Sequence, residues 1–232
     1  MRLCAKESNA SETPHFALPG LPELREQKVF GRSIRYYDTG SGPPLVRVHG
    51  LGGDADQWAF CLPGLGRSNR VVALDLLGFG RSDKPGIDYR IAGFVEVLDR
   101  FLSALDIPRA SLLGHSLGGW IVASFALQYP DRVNKLILND AAGIDEGAVP
   151  IPIDLNVSTC GNMRKVFEAM FHDRSLVQDA LVENDAVTPV TMAHAFHRHI
   201  PNSQLRTIPA CGHFPPMEKP DAFVQAVTDF LR

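Results

Sequence analysis

Ser111-Leu112-Leu113-Gly114-His115-Ser116-Leu117-Gly118-Gly119-Trp120 holds a Gly-x-Ser-x-Gly pattern, Gly114 to Gly118, between two apolar stretches. Leu112 and Leu113 lead in as a short strand, and the segment from Trp120 to Leu127 leads out as a helix. A residue at so sharp a strand-to-helix turn takes a strained backbone geometry that only small neighbours tolerate. Gly114 and Gly118 are those neighbours. The turn lifts the Ser116 hydroxyl above the sheet edge and sets it at a helix N-terminus, where N–H groups favour an oxyanion.

Strands alternate with helices on both sides of this turn. Lys28 to Phe30 and Ser33 to Tyr37 flank Gly31-Arg32 as a hairpin. Leu45-Val46-Arg47-Val48 reads as a short strand running into His49-Gly50-Leu51-Gly52-Gly53. Arg47 is out of place in a central parallel strand, which is apolar on both faces. It is expected at a sheet edge or beside a carboxylate. Val71 to Leu74 is the next strand, then an amphipathic helix over Ile91 to Leu105, and a strand over Lys135 to Asn139 that ends at Asp140. Further on come a helix over Thr191 to His199, a strand over Gln204 to Ile208 and a closing helix over Asp221 to Arg232. This order gives an α/β fold with a mainly parallel sheet and helices on both faces. Residues 1–140 and 185–232 form its core, and 141–184 form a short helical lid at the strands' C-terminal ends.

The chain has 232 residues, with 45% hydrophobic and 21% charged residues and a formal net charge of −3. That is ordinary globular composition, with nothing drawing nucleic acid or an anionic membrane. Cys4, Cys61, Cys160 and Cys211 are scattered, which fits reduced thiols rather than a disulfide framework or a zinc site. No secretory leader and no membrane span is read, so a cytoplasmic location is expected. His194, His197 and His199 lack the carboxylate or cysteine that would complete a metal site, and no phosphate loop is present. Neither a metal nor another cofactor is expected.

In order, His49 to Gly53, Asp75 to Asp83, Gly114 to Gly119, Asp185-Ala186-Val187-Thr188-Pro189 and Gly212 to Pro220 make the chain similar to the α/β-hydrolase family. Within the family it resembles the branch of esterases, lactonases and carbon–carbon-bond hydrolases. One departure stands out. Family members carry a longer lid and an apolar strand before the acidic residue, whereas here Leu181-Val182-Glu183-Asn184 runs straight into Asp185.

A serine hydroxyl needs an adjacent base, and the base an orienting group. Ser116 is the expected nucleophile and His213 the expected base. The resemblance gives Asp185 as the acid, with Asp140 as its rival. The oxyanion donors are the N–H of Leu117 and, by resemblance, that of Leu51. His49 reads as structural, and His115 as a pocket-floor or backbone contact. Trp58, Trp120, Met163, Phe167 and Phe214 are candidates to line a pocket or pack the core. The expected activity is hydrolysis of a small-molecule carboxylic ester through an acyl-enzyme. Carbon–carbon-bond hydrolysis of a keto-dienoic acid is the alternative, and a non-catalytic, triad-broken binding protein a third. A shortened lid would leave apolar surface that favours a homodimer.

Overall fold

Pro44 to Val48 and Ala110 to His115 are short and apolar, and both are buried along nearly their whole length, as strands covered on two faces must be. The computed structural model describes residues 20–144, 188 and 190–232. Six strands form one mixed sheet: β1 (Arg25–Val29), β2 (Arg32–Thr39), β3 (Pro44–Val48), β4 (Arg70–Leu74), β5 (Ala110–His115) and β6 (Val133–Asn139), in the order β1-β2-β4-β3-β5-β6. The β1–β2 and β2–β4 pairs are antiparallel, and β4–β3, β3–β5 and β5–β6 are parallel. Phe30 (φ 50°) and Gly31 (φ 73°) close the β1–β2 hairpin, two left-handed residues whose twist matches that of the strands.

The helices are α1 (Leu62–Leu65), α2 (Ile91–Ala104), α3 (Leu117–Gln128), α4 (Val190–His199), α5 (Pro215–Glu218) and α6 (Pro220–Leu231). Alternate residues of each strand supply two cores. On one face Val46, Val72 and Leu112 pack with Phe94, Leu98 and Phe101 of α2 and Ile121, Val122 and Phe125 of α3. On the other, Leu45, Val71 and Leu113 pack with Trp58, Leu62 and Leu65 and with Phe223 and Val227 of α6. Among the described residues no helix is long and apolar enough to cross a membrane.

Arg47 is not at an edge, and among the described residues no carboxylate pairs with it. It lies on β3, which has strands on both sides, opposite Ala73 and Leu113, and it is fully buried. Its guanidinium stacks on the Trp58 ring, 4.0 Å from the centroid, with the Phe223 ring at 5.7 Å. Weak guanidinium hydration and an aromatic face let arginine enter where lysine would not. Burial still pulls its pKa down to about 10, against a smaller opposing pull from the Cys61 sulfur.

The expected strand at Gln204–Ile208 is not formed, and 203–208 is irregular. A parallel strand forms only where a neighbour already offers its free edge. Among the described residues β6 is the sheet's last strand, and 203–208 does not pair with it. The lid expected over 141–184 lies outside the described residues beyond Ile144.

Candidate active site

Ser116 sits between β5 and α3 with φ 52° and ψ −117°, a combination L-residues adopt only when their surroundings force it. Three constraints do so. Ser116 N–H donates to the Asn139 carbonyl at 3.1 Å, and its own carbonyl accepts from Gly119 and Ala142 N–H at 2.9 and 3.1 Å. A side chain at Gly114 would strike the Gly118 carbonyl, and one at Gly118 would strike the carbonyls of Val48 and His49. The pattern read from sequence thus has a steric cause at both of its glycines.

The loop after β3 passes directly over the serine. A methyl group on Gly50 would lie 3.0 Å from Ser116 Cβ and 3.0 Å from His115 Nδ1. Leu51 follows in the turn that Gly53 N–H closes onto the Gly50 carbonyl at 3.2 Å. Leu117 N–H, in the first turn of α3, has no intrahelical acceptor. The two N–H groups expected to hold an oxyanion therefore belong to segments that meet at Ser116.

His49 keeps this loop in place. Its Nδ1–H donates to the Gly50 carbonyl at 2.8 Å and its Nε2 accepts from Leu76 N–H at 2.9 Å. Accepting at Nε2 requires the neutral ring, and burial lowers its pKa against the opposing pull of the Gly50 bond. Asp75 does a related task one turn away. Its buried carboxylate accepts from Ala55 N–H at 2.7 Å and from Arg81 N–H at 2.6 Å, and pairs with the Arg81 side chain at 3.0 Å. Arg81 also reaches Asp56 at 2.8 Å. Desolvation works against the Arg81 charge, but Asp75 and then Asp56 outweigh it and raise its pKa.

His213 lies in the loop before α5 and is almost fully buried. Its Nδ1 is 3.0 Å from Thr188 Oγ1, and its carbonyl accepts from His115 Nε2–H at 2.6 Å. The His115 and His213 rings are 4.5 Å apart, and Phe214 packs on His115 at 4.9 Å. Among the described residues Asp140, just past the end of β6, brings a carboxylate here. Ligand-capable atoms of His115, Asp140 and His213 all lie within 4.8 Å of one another. Two imidazoles and a carboxylate could in composition hold a metal ion, but His115 already spends Nε2 on the His213 carbonyl. Asp185, the acid expected by resemblance, lies outside the described residues, as do Met163 and Phe167. Thr188 stands three residues after it in the chain.

Of the aromatic candidates, Trp58 is core, under Arg47 and edge-on to His115 at 6.3 Å, and Trp120 is exposed on α3. His197 spends Nδ1 on Ser203 Oγ at 2.8 Å. Glu218, which accepts from two N–H groups of the His213 loop, was not singled out from sequence. Its place five residues after the histidine was the available signal.

The fold and this arrangement are those of an α/β hydrolase. The chain matches the alpha/beta hydrolase fold family over residues 43–159, just over half its length, and belongs to that family. It is 29% identical to a 2-hydroxy-6-oxo-2,4-heptadienoate hydrolase of Pseudomonas putida, covering 87% of this chain and 93% of the relative. It is 36% identical over 172 residues to a 2-hydroxymuconate semialdehyde hydrolase of a Pseudomonas species, covering 70% of this chain and 60% of that one. Among solved structures it is similar to a meta-cleavage product hydrolase from Pseudomonas fluorescens, with a TM-score of 0.77, 26% identity and coverage of 87% and 94%. The first alignment runs over 268 positions, more than the 232 residues of this chain, so that relative carries internal segments with no counterpart here.

Proposed function

We propose that the protein is a serine hydrolase that cleaves a carbon–carbon bond in a 2-hydroxy-6-oxo-dienoic acid. The similarity to hydrolases of that substrate class, over most of both chains, carries the substrate. The strained Ser116 beneath the Gly50 loop carries the chemistry. Ester cleavage, the activity first expected from the residues, uses the same machinery and becomes the second reading.

Ser116 Oγ passes its proton to His213 and attacks the ketone carbonyl. The resulting oxyanion accepts hydrogen bonds from Leu51 and Leu117 N–H. As the carbon–carbon bond breaks, its electron pair goes to the dienoate fragment, which takes up the proton from His213. Water, deprotonated by His213, then releases the acid from Ser116.

Asp185 is the acid in this reading, by its motif. A specific observation favours Asp140 as a second candidate, namely its approach to within 4.8 Å of His213.

Rates measured side by side on a 2-hydroxy-6-oxo-dienoate and a short p-nitrophenyl ester test the substrate. A higher kcat/KM on the dienoate is expected, and the reverse order would return the ester to first place. Ser116→Ala should abolish both activities. Turnover surviving in that variant would sink the nucleophile.

A further inference from the structure

We infer that Glu218 is a positioning residue for His213, with His115 as its counterpart on the opposite side of the peptide. The inference rests on the reading of His213 as the catalytic base.

The serine and its base are mounted differently. Ser116 is held by β5 and α3, whereas His213 stands in an irregular stretch with no strand on either side. Loop backbone moves more than ladder backbone, and a base misplaced by about 1 Å costs on the order of 10²-fold in rate. Something other than a sheet must hold this histidine.

Glu218 supplies part of that hold. One carboxylate oxygen accepts from Phe214 N–H at 3.1 Å. Both oxygens face Gly212 N–H, at 3.2 and 3.1 Å. The residues immediately before and after His213 thus hang on a single carboxylate, through hydrogen bonds strengthened by its charge. Pro215 and Pro216 open α5 with their φ angles fixed, and Met217 and Glu218 N–H both return to the Phe214 carbonyl at 2.9 Å. That tight turn brings Glu218 back beneath the histidine. The Cys61 thiol donates to the Pro216 carbonyl at 3.2 Å and ties α5 to the core.

His115 holds a third backbone group. Its Nε2–H donates to the His213 carbonyl at 2.6 Å. Because His115 is the last residue of β5, next to Ser116, this bond references the base to the strand that delivers the nucleophile. The base is therefore fixed through its peptide by two side chains, Glu218 and His115.

Glu218→Ala, Glu218→Gln and His213→Ala separate this role from a merely structural one. Active sites are counted by exhaustive fluorophosphonate labelling, and kcat is expressed per labelled serine. Glu218→Ala is expected to lose about 10²-fold in kcat per labelled site, with KM within about threefold of wild type. Glu218→Gln retains shape and one acceptor, and should lose about tenfold. If Glu218→Ala yields no folded protein, the Gln variant decides. Wild-type kcat per labelled site in the folded variants, with any loss tracking the folded fraction alone, would overturn the inference. Failure of the base assignment has a separate sign, in which His213→Ala turns over as fast as wild type.

Discussion

The Arg47 guanidinium lies over the Trp58 indole, 4.0 Å from its centroid, and among the described residues it has no carboxylate partner and only the Cys61 sulfur to favour its charge. A buried cation without a carboxylate is costly, and the aromatic face offsets only part of that cost. An unbranched apolar side chain of similar length would fill the space without it. Arg47→Met is therefore expected to stabilise the fold by about 1–3 kcal/mol, within the range seen when buried charges give way to apolar residues. A higher urea midpoint at unchanged m-value is the expected reading. A lower midpoint would mean that Arg47 has a favourable partner.

The acid can be assigned by a pair of single variants. Asp185→Asn is expected to lower kcat by about 10⁴-fold, as loss of the orienting carboxylate does in other triads, with Asp140→Asn changing it less than tenfold. The opposite result would transfer the role to Asp140, which lies within 4.8 Å of His213.

His49 links stability to pH. Burial lowers its pKa from 6.5, so the unfolded chain binds a proton that the folded chain resists. Its contribution is complete above pH 6.5 and is lost as pH falls below that value toward the lowered folded pKa. His49→Asn, which does not titrate, should flatten this acid limb. Urea midpoints followed downward from neutral pH test it, and an acid limb of equal slope in both proteins would exclude His49 as its source.

Gly118→Ala forces a methyl group into the Val48 and His49 carbonyls. Overpacking of this kind costs about 1–3 kcal/mol, and here it also pushes on the loop that carries Leu51. A lower Tm together with slower fluorophosphonate labelling of Ser116 is expected. Labelling at the wild-type rate would show that the elbow tolerates the shift.

Much of this site could be read from local chemistry. Ser116 was legible because its conformation depends on immediate neighbours, and two glycines four residues apart announce it. Strands β3, β4 and β5 were legible because burial on both faces demands continuous apolar runs, and the half-buried edge strand β6 because it too is a short apolar run. His213 was legible from its own loop and its place in the order of motifs. Glu218 and His115 were not assigned to the base, because their hydrogen bonds to it form only once β5, α5 and the His213 loop are in place.

Arg47 shows where sequence reasoning stops. An isolated charge in an apolar strand says that something must compensate it, but not what, and the compensation here is an aromatic ring eleven residues away. The irregular backbone at 203–208 teaches the same point for the main chain. Its residues suit a strand, yet strand formation also requires docking in register on a neighbour, which is a long-range condition that local residues do not encode. The sequence by itself determined the sheet's central strands, the serine turn and the order of the family's motifs, the first two governed by short-range sterics and burial. Only the tertiary structure decided what surrounds Arg47, which groups hold the His213 peptide and how near Asp140 comes to His213, because those contacts join residues far apart in the chain.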